Sequence, residues 1–292
     1  MTAPGITMQD KTATDAYLRC DVTSLFSLKD RVVVITGGAR GIGLTLAFAV
    51  AEAGGLVAVV DASPAPHDHF EILKQRATKV IYYQSDVTDY ERLKSTFDAI
   101  IQDYHRIDGI ITAAGICPDQ PFLNRSPTSV KRTIEINVLG TYYAVQHAVR
   151  HMTSQRTLGL SPPTSLHPPA AGSVVMIASI AAHQASKLQY TSDYSASKGA
   201  ILALCRQLSV ELATTGIRVN CISPGYVMTD MTLDISAVRP GLAEVFVSEP
   251  PMKRMADRTE LKGAAVYLLS SASSYMTGGE LLITGGMHAG RN

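Results

Sequence analysis

The stretch Thr36-Gly37-Gly38-Ala39-Arg40-Gly41-Ile42-Gly43 links an apolar run at residues 32–36 to an apolar stretch with helical character. Glycines at such a turn let the chain reverse tightly and let backbone N–H groups approach an anion. The N-terminus of the following helix carries partial positive charge, which favours a pyrophosphate. The stretch therefore predicts a dinucleotide site, although a plain strand-to-helix turn would contain the same glycines.

Asp61 ends the next apolar run, 24 positions after Gly37. A carboxylate there accepts hydrogen bonds from the ribose hydroxyls of NAD and repels the additional phosphate of NADP. Arg40 favours NADP, because a guanidinium can bind that phosphate, or it is simply a solvated loop charge. We give Asp61 more weight, because binding of NADP would bring its carboxylate and the additional phosphate together and remove water from two like charges. We therefore expect NAD.

Apolar runs alternate with helical stretches along most of the chain. Strand-helix-strand order repeated this often predicts an α/β fold: one doubly wound domain with a mainly parallel seven-stranded sheet between helices. Its ligand is expected at the C-terminal edge of the sheet. The predicted strands cover residues 32–36, 56–61, 79–84, 108–113, 173–178, 217–222 and 280–284.

Three segments depart from this alternation. Residues 1–28 are polar and aperiodic, which predicts an N-terminal extension before a domain at 29–292. Residues 153–172 contain four prolines and predict an inserted loop at the N-terminal edge, away from the ligand. Residues 224 to about 257 follow a strand and predict a substrate lid at the ligand edge. Its adaptable apolar cover would come from Met228, Met231, Met252 and Met255.

Composition argues against several classes of function. The chain has 26 basic and 25 acidic residues, so no overall field would gather nucleic acid or a membrane surface. There is no signal-peptide core and no apolar run of the ~18 residues that a membrane span needs, which predicts a cytoplasmic protein. Scattered cysteines predict reduced thiols and no metal site; they are Cys20, Cys117, Cys205 and Cys221.

Four motifs follow one another in a fixed order between residues 36 and 198, and supporting signatures, among them Ser85-Asp86-Val87 and residues 218–225, extend the match through residues 29–286. The four motifs are the glycine stretch at 36–43, Asn137, Ser179 and the pair Tyr194-xxx-Lys198. Together they resemble the short-chain dehydrogenase/reductase family. The resemblance implies a Rossmann-type fold and an NAD(P)-dependent oxidoreductase that interconverts a secondary alcohol and a ketone. It also implies a homodimer or homotetramer built through residues 128–152 and 193–213.

The resemblance implies a catalytic set of Asn137, Ser179, Tyr194 and Lys198. Tyr194 would pass a proton to or from the substrate oxygen, and Ser179 would hydrogen-bond that oxygen. Lys198, one helical turn away, would stabilise the phenolate, whose parent phenol has a pKa of about 10, and Asn137 would support a proton path to it. Each residue also has a structural interpretation, such as an exposed Tyr–Lys pair. Tyr190 lacks the lysine partner and is predicted to line a pocket wall.

The family also implies the dinucleotide contacts. The acidic residue after the third strand would meet the adenine, the Ala-Gly pair would pass beneath the ribose, and the turn after the sixth strand would contact the carboxamide. The expected cofactor-binding residues are Gly37, Arg40, Gly41, Ile42, Gly43, Asp61, Asp86, Val87, Ala114, Gly115, Tyr194, Lys198, Pro224, Gly225, Val227 and Thr229.

The substrate is predicted only as a class. The spacing from Ser179 to Tyr194 is loosely similar to the fungal polyol dehydrogenase branch, which implies a polyol or its ketose. Hydrogen-bonding groups for it would come from His183, Gln184, Gln189 and Asp193, or these form an exposed polar loop. Two alternatives remain. One is a biosynthetic ketoreductase whose bulkier ketone contacts Tyr142, Tyr143 and Tyr226; the other is a repurposed member that uses the dinucleotide without redox chemistry.

Overall fold

The computed structural model describes residues 21–157, 171–230, 232–233 and 239–290. Seven parallel strands form one sheet in the order β3-β2-β1-β4-β5-β6-β7. This confirms the predicted fold class, and each strand agrees with its predicted bounds to within two residues. The strands are β1 Val32–Thr36, β2 Leu56–Asp61, β3 Val80–Gln84, β4 Gly109–Thr112, β5 Gly172–Ile177, β6 Ile217–Pro224 and β7 Glu280–Ile283.

The sheet is buried on both faces because its central strands are apolar throughout. All five residues of β1 are buried. Val32 and Val34 point into one core cluster, whereas Val33 and Ile35 point into the other. This is the pattern of a parallel strand covered by helices on both sides, and it explains why the run is continuously apolar and does not alternate.

The segments between strands contain helices, and these cover both faces of the sheet. Ser126 and Asp89 begin two of them as side-chain N-caps. A π-helical turn at Glu135–Gly140 interrupts the run between two helices, a feature often found at functional sites. The helices are α1 Gly41–Glu52, α2 His69–Arg76, α3 Tyr90–Tyr104, α4 Pro127–Ile134, α5 Thr141–Thr157, α6 Ser192–Leu212, α7 Pro240–Ser248 and α8 Lys262–Leu269, with a short turn at Val22–Leu25.

Two predicted boundaries shift. Leu28, assigned to the extension, is fully buried in the core, and its N–H donates to the carbonyl of Ala53, so the domain already includes it. Residues 1–20 lie outside the described residues. Helix α5 continues through Thr157, five residues into the predicted loop, because the first proline of that segment is Pro162. Residues 158–170 of the loop lie outside the described residues.

The segment predicted as a lid contains α7. Leu242 and Phe246 of this helix are buried together with Ile180 and Tyr226. The expected methionine cover is therefore largely replaced, since Met255 packs against this cluster but Met228 and Met252 are exposed. Met231 and residues 234–238 lie outside the described residues. No helix in the described part of the chain combines the length and apolar character needed to cross a bilayer.

Candidate active site

A cleft of about 350 Å³ lies where the turns after five strands meet at the C-terminal edge of the sheet. Eleven of the predicted cofactor-binding residues line it: Gly37, Arg40, Gly41, Ile42, Gly43, Asp61, Asp86, Val87, Ala114, Gly115 and Thr229. Sequence reasoning did not single out Ala62, Ser63, Arg132 and Ile136, which also line the cleft. Ala62 and Ser63 directly follow Asp61, and Ile136 directly precedes Asn137, which was the available signal; Arg132 had no such neighbour.

The glycine turn is shaped by close backbone packing. A Cβ placed on Gly37 would lie 2.4 Å from the N atom of Ala114, and one on Gly43 would lie 2.1 Å from the carbonyl oxygen of Gly37. Gly41 has φ of +58° and open space around it. Only glycine allows this conformation and this approach without strain. The turn thus leaves the N-terminus of α1 open to the cleft, an arrangement that fits the pyrophosphate of NAD(P).

Asp61 is held in position by the backbone around it. Its Oδ2 atom accepts a 3.0 Å hydrogen bond from the N–H of Ala39, and Oδ1 accepts one of 3.0 Å from the N–H of Ser63. The carboxylate therefore has a fixed place at the cleft. Arg40 is exposed and also lines the cleft, and Arg132 donates to Asp86 at 3.3 Å.

The remaining predicted cofactor residues lie outside this cleft. Tyr194 and Gly225 line a neighbouring pocket. Val227 is buried beside them and forms a bridge with Ala256. Lys198 lies behind the cleft, since a Cβ on Gly115 would be 3.8 Å from its Nζ. Pro224 ends β6 and is likewise buried.

Tyr194, Lys198 and Ser179 meet at the junction of the cleft and this second pocket. Tyr194 and Lys198 share one face of α6, with Nζ of Lys198 5.5 Å from the centre of the tyrosine ring. Ser179 hydrogen-bonds the phenol and caps a short turn by accepting from the N–H of Ala181 at 3.1 Å. The structure thus brings these three predicted residues together.

Burial dominates the protonation of this group. It raises the pKa of Tyr194 above its ordinary value, against the opposing effect of the hydrogen bond with Ser179. It also lowers the pKa of Lys198 to about 8. The lowering of the phenol pKa expected from Lys198 is therefore not found: burial has the largest effect on this pKa, and Nζ of Lys198 donates to the carbonyl of Ile177 at 2.7 Å.

The side chain of Asn137 connects three segments by hydrogen bonds. Its Oδ1 accepts from the N–H of Ile116 at 2.9 Å, and its Nδ2 donates to the carbonyl of Ile116 at 3.0 Å. Nδ2 also donates to Oγ of Ser197 at 3.0 Å, and that hydroxyl donates to the carbonyl of Tyr194. Asn137 thereby joins the π-helical turn to the loop after β4 and to α6.

The second pocket, about 90 Å³, is the candidate substrate pocket. Gln189 and Tyr226 of the predicted substrate contacts line it, and so does Cys117. Burial raises the pKa of the Cys117 thiol to about 12, which disfavours a thiolate. Sequence reasoning missed four of its other lining residues, which come from three separate segments: Ser186, Thr191, Thr232 and Phe246.

The other proposed substrate contacts lie elsewhere. His183 hydrogen-bonds Glu280 at 2.7 Å, a partner 97 residues away that local sequence could not reveal. Tyr142 lies in a groove between α5 and α6, and Tyr190 lines an outer cleft with Gln184. Asp193 is buried against Arg125. Among the described residues, no cluster of three or more His, Cys, Asp or Glu side chains could hold a metal ion.

Comparisons with known proteins agree with this geometry. Residues 37–288 match the family model described as enoyl-(acyl carrier protein) reductase. The chain is 33% identical to an NADP-dependent mannitol dehydrogenase of Hypocrea jecorina, over 90% of this chain and 94% of that protein. It is 30% identical to the short-chain dehydrogenase/reductase notP' of Aspergillus versicolor, over 91% and 89%.

A solved structure shows the same fold over nearly its whole length. The short-chain type dehydrogenase/reductase from Mycobacterium marinum superposes with a TM-score of 0.80 at 32% identity, covering 91% of this chain and 99% of that one. Sequence motifs, the cleft at the sheet edge and these matches lead to one conclusion. The chain belongs to the short-chain dehydrogenase/reductase family of NAD(P)-dependent oxidoreductases.

Proposed function

We propose that the protein interconverts a secondary alcohol and a ketone, with Tyr194 exchanging the proton at the substrate oxygen. The supporting observation is the place of Tyr194: its side chain lines the substrate pocket, bonds Ser179 and lies beside Lys198. When bound, the nicotinamide supplies or accepts the hydride. Ser179 holds the same oxygen, and Lys198 supports the side chain of Tyr194 from the next helical turn.

The protonation of the site suits ketone reduction at neutral pH. Because burial raises the pKa of Tyr194, the phenol is protonated and ready to donate to a developing alkoxide. Alcohol oxidation requires the phenolate instead. We therefore expect oxidation to need a higher pH than reduction.

The lining of the substrate pocket favours a polyol or its ketose. Ser186, Gln189, Thr191 and Thr232 place hydroxyl and amide groups around Tyr194. Polar groups that line a pocket in this way favour substrates with matching hydroxyls. The apolar wall of Ile180 and Phe246 supports a second candidate, a bulkier ketone, and residues 224 to about 257 would close over either substrate as a lid through α7.

We further propose NAD as the preferred cofactor. The carboxylate of Asp61 is fixed by two backbone hydrogen bonds and lines the cleft where the ribose hydroxyls would lie. A phosphate there would meet its negative charge at close range. The opposing features are Arg40 at the lip of the cleft and the NADP dependence named for the Hypocrea relative.

Exposed apolar residues on two helices support a homodimer or homotetramer. Val210 of α6 is 76% exposed, and Tyr142 of α5 is also exposed. Both helices line one surface groove, to which α5 also contributes Val149 and α6 contributes Leu212. A second copy of the chain would cover these side chains from water.

The decisive test uses Y194F with a panel of D-mannitol, galactitol, D-arabinitol, D-fructose and cyclohexanone. We expect wild-type turnover of a polyol or its ketose, a loss of about 10²- to 10⁴-fold in Y194F, and unchanged binding of reduced cofactor. Y190F is the matched control, because Tyr190 lies outside the substrate pocket, and it should keep its activity. Unchanged turnover in Y194F would refute the role of Tyr194.

Other outcomes identify the alternatives. Turnover of cyclohexanone without any polyol or ketose would favour the bulkier ketone. Tight dinucleotide binding with no turnover of the whole panel would favour a non-redox role.

A further inference from the structure

A buried ion pair lies directly beside the proposed proton-transfer residue. Arg125 and Asp193 approach within 2.5 Å, and each side chain is only 2% exposed. The two residues are 68 positions apart, so they connect distant parts of the chain. Neither belongs to the four motifs that carry the family resemblance.

Arg125 joins two walls of the active site. Its guanidinium donates to the carbonyls of Pro118 and Gln120 in the loop after β4, at 3.1 and 2.9 Å. It also donates to the carbonyl of Tyr190, just before α6. A planar guanidinium can serve several acceptors at once in fixed directions. One side chain therefore fixes the loop after β4 against the segment that leads into α6.

Asp193 transmits this connection to Tyr194. The same Oδ1 atom that binds Arg125 accepts a 2.8 Å hydrogen bond from the N–H of Tyr194. Thr191, the N-cap of α6, makes no side-chain capping bond among the described residues. The carboxylate of Asp193 thus supplies the negative charge in the first turn, where the N–H groups of a helix need a partner.

The pair is poorly suited to a purely stabilising role. Within the described residues, Nε of Arg125 and Oδ2 of Asp193 have no hydrogen-bond partner. A buried ion pair with incomplete hydrogen bonding is often no more stable than a neutral apolar replacement. Its value here lies in geometry, because it fixes directions among three segments around the substrate pocket.

We propose that Arg125 and Asp193 are positioning residues that set the place of Tyr194 against the wall of the substrate pocket. This inference rests on the proposed role of Tyr194. Loss of the pair displaces the first turn of α6 relative to the loop after β4, and the phenol moves with it. Neither Arg125 nor Asp193 lines the cofactor cleft, and we expect the cleft to keep its affinity.

The first readout needs no substrate. Protein labelled with ζ-¹³C-tyrosine is compared by NMR as wild type, R125M and R125K, with the Tyr194 signal assigned by its loss in Y194F. We expect the signal to move in R125M and to lie nearer its wild-type position in R125K, which keeps the charge. R125M/D193N removes both charges and is the variant of choice if R125M does not fold, since no buried charge is left unpaired.

R106M is the matched control. Arg106 pairs with Asp108 at 2.6 Å, and Asp108 is as buried as Asp193. That pair precedes β4 at the N-terminal edge of the sheet, away from Tyr194. R106M should be destabilised while its Tyr194 signal and its turnover per folded molecule stay at wild-type values.

The second readout is kinetic and uses the best substrate of the panel above. In R125M we expect kcat to fall at least about tenfold, a loss of 1.4 kcal/mol, with unchanged KM for the cofactor. A folded R125M with wild-type Tyr194 signal and kcat would overturn the inference. Activity retained in Y194F would instead refute the proposed function and leave the NMR result to decide the positioning role.

Discussion

Nζ of Lys198 donates a 2.7 Å hydrogen bond to the carbonyl of Ile177, the last residue of β5. Ser179 follows two residues later, so one bond connects the lysine of α6 to the strand that presents the serine. The ammonium is buried, and its position is set by the end of the sheet as much as by its own helix.

Burial of Lys198 predicts a pH-dependent difference in stability between wild type and K198M. The pKa falls from 10.5 to about 8 on folding, so the unfolded chain binds more protons between these values. The stability that wild type has above about pH 10.5 is therefore lost as the pH falls through about 8, because folding then requires Lys198 to release its proton or to be buried with its charge. The free energy of unfolding of K198M, relative to that of wild type, should therefore rise by up to about 3 kcal/mol as the pH falls from 10 to 7.

Urea unfolding at pH 7, 8, 9 and 10 measures this difference. K131M is the control, because the side chain of Lys131 is mostly exposed, and its difference from wild type should not change with pH. A constant gap between K198M and wild type would contradict the prediction.

Asn137 and Gln155 make the same pair of side-chain hydrogen bonds to a backbone N–H and carbonyl, but in different parts of the fold. Gln155 accepts from the N–H and donates to the carbonyl of Ile107, as Asn137 does with Ile116. Replacing either by alanine leaves buried backbone groups without partners, which should lower the free energy of unfolding by about 1–3 kcal/mol. Only N137A should also lose turnover, because only Asn137 joins Tyr194 through Ser197.

Steady-state kinetics and denaturant unfolding of N137A and Q155A check this expectation. Equal turnover in the two folded variants would show that the hydrogen bonds of Asn137 serve stability alone.

Cofactor choice should respond to Asp61 and Arg40 in opposite directions. In D61S we expect the ratio of NADPH to NADH affinity to rise about tenfold or more, since one repulsive charge is removed. R40A should lower that ratio if Arg40 binds the phosphate. The fluorescence of the reduced nicotinamide measures both affinities, and the chain contains no tryptophan to interfere. An unchanged ratio in D61S would remove Asp61 as the selecting residue.

The assembly should be sensitive to charge on α6. V210E places a carboxylate on the apolar surface proposed to meet a second copy, so we expect monomers in size-exclusion chromatography with light scattering. V22E is the control, because Val22 is 66% exposed but lies outside both helices. The same oligomer in V210E and V22E would place the interface elsewhere.

Sequence was most informative where local pattern determines structure. The continuous apolar run of β1 and the four-residue spacing of Tyr194 and Lys198 both follow from strand and helix periodicity. The cover of the substrate pocket was assigned to methionines, whereas Phe246 lines the pocket and Leu242 is buried in the same cluster. The chemical adaptability of a residue does not indicate its direction in the fold.

Long-range effects escaped sequence reasoning. Arg125 meets Asp193 across 68 positions, and neither residue carries a local signal of that contact. The pKa of Tyr194 was expected to fall beside Lys198, but burial by the surrounding fold raises it. Desolvation is a property of the packed molecule, so four-residue spacing alone could not supply its sign.

The cleft at the sheet edge is built almost entirely from residues 37–136, whereas Ser179, Tyr194 and Lys198 all follow them. We therefore propose that the chain is modular in the order of its synthesis, with most residues of the dinucleotide cleft encoded before the residues of proton transfer. Recombination between Ile136 and β5 would exchange one property and leave the other in place. A chimera with its first half from another family member should inherit that member's cofactor and retain this protein's substrate.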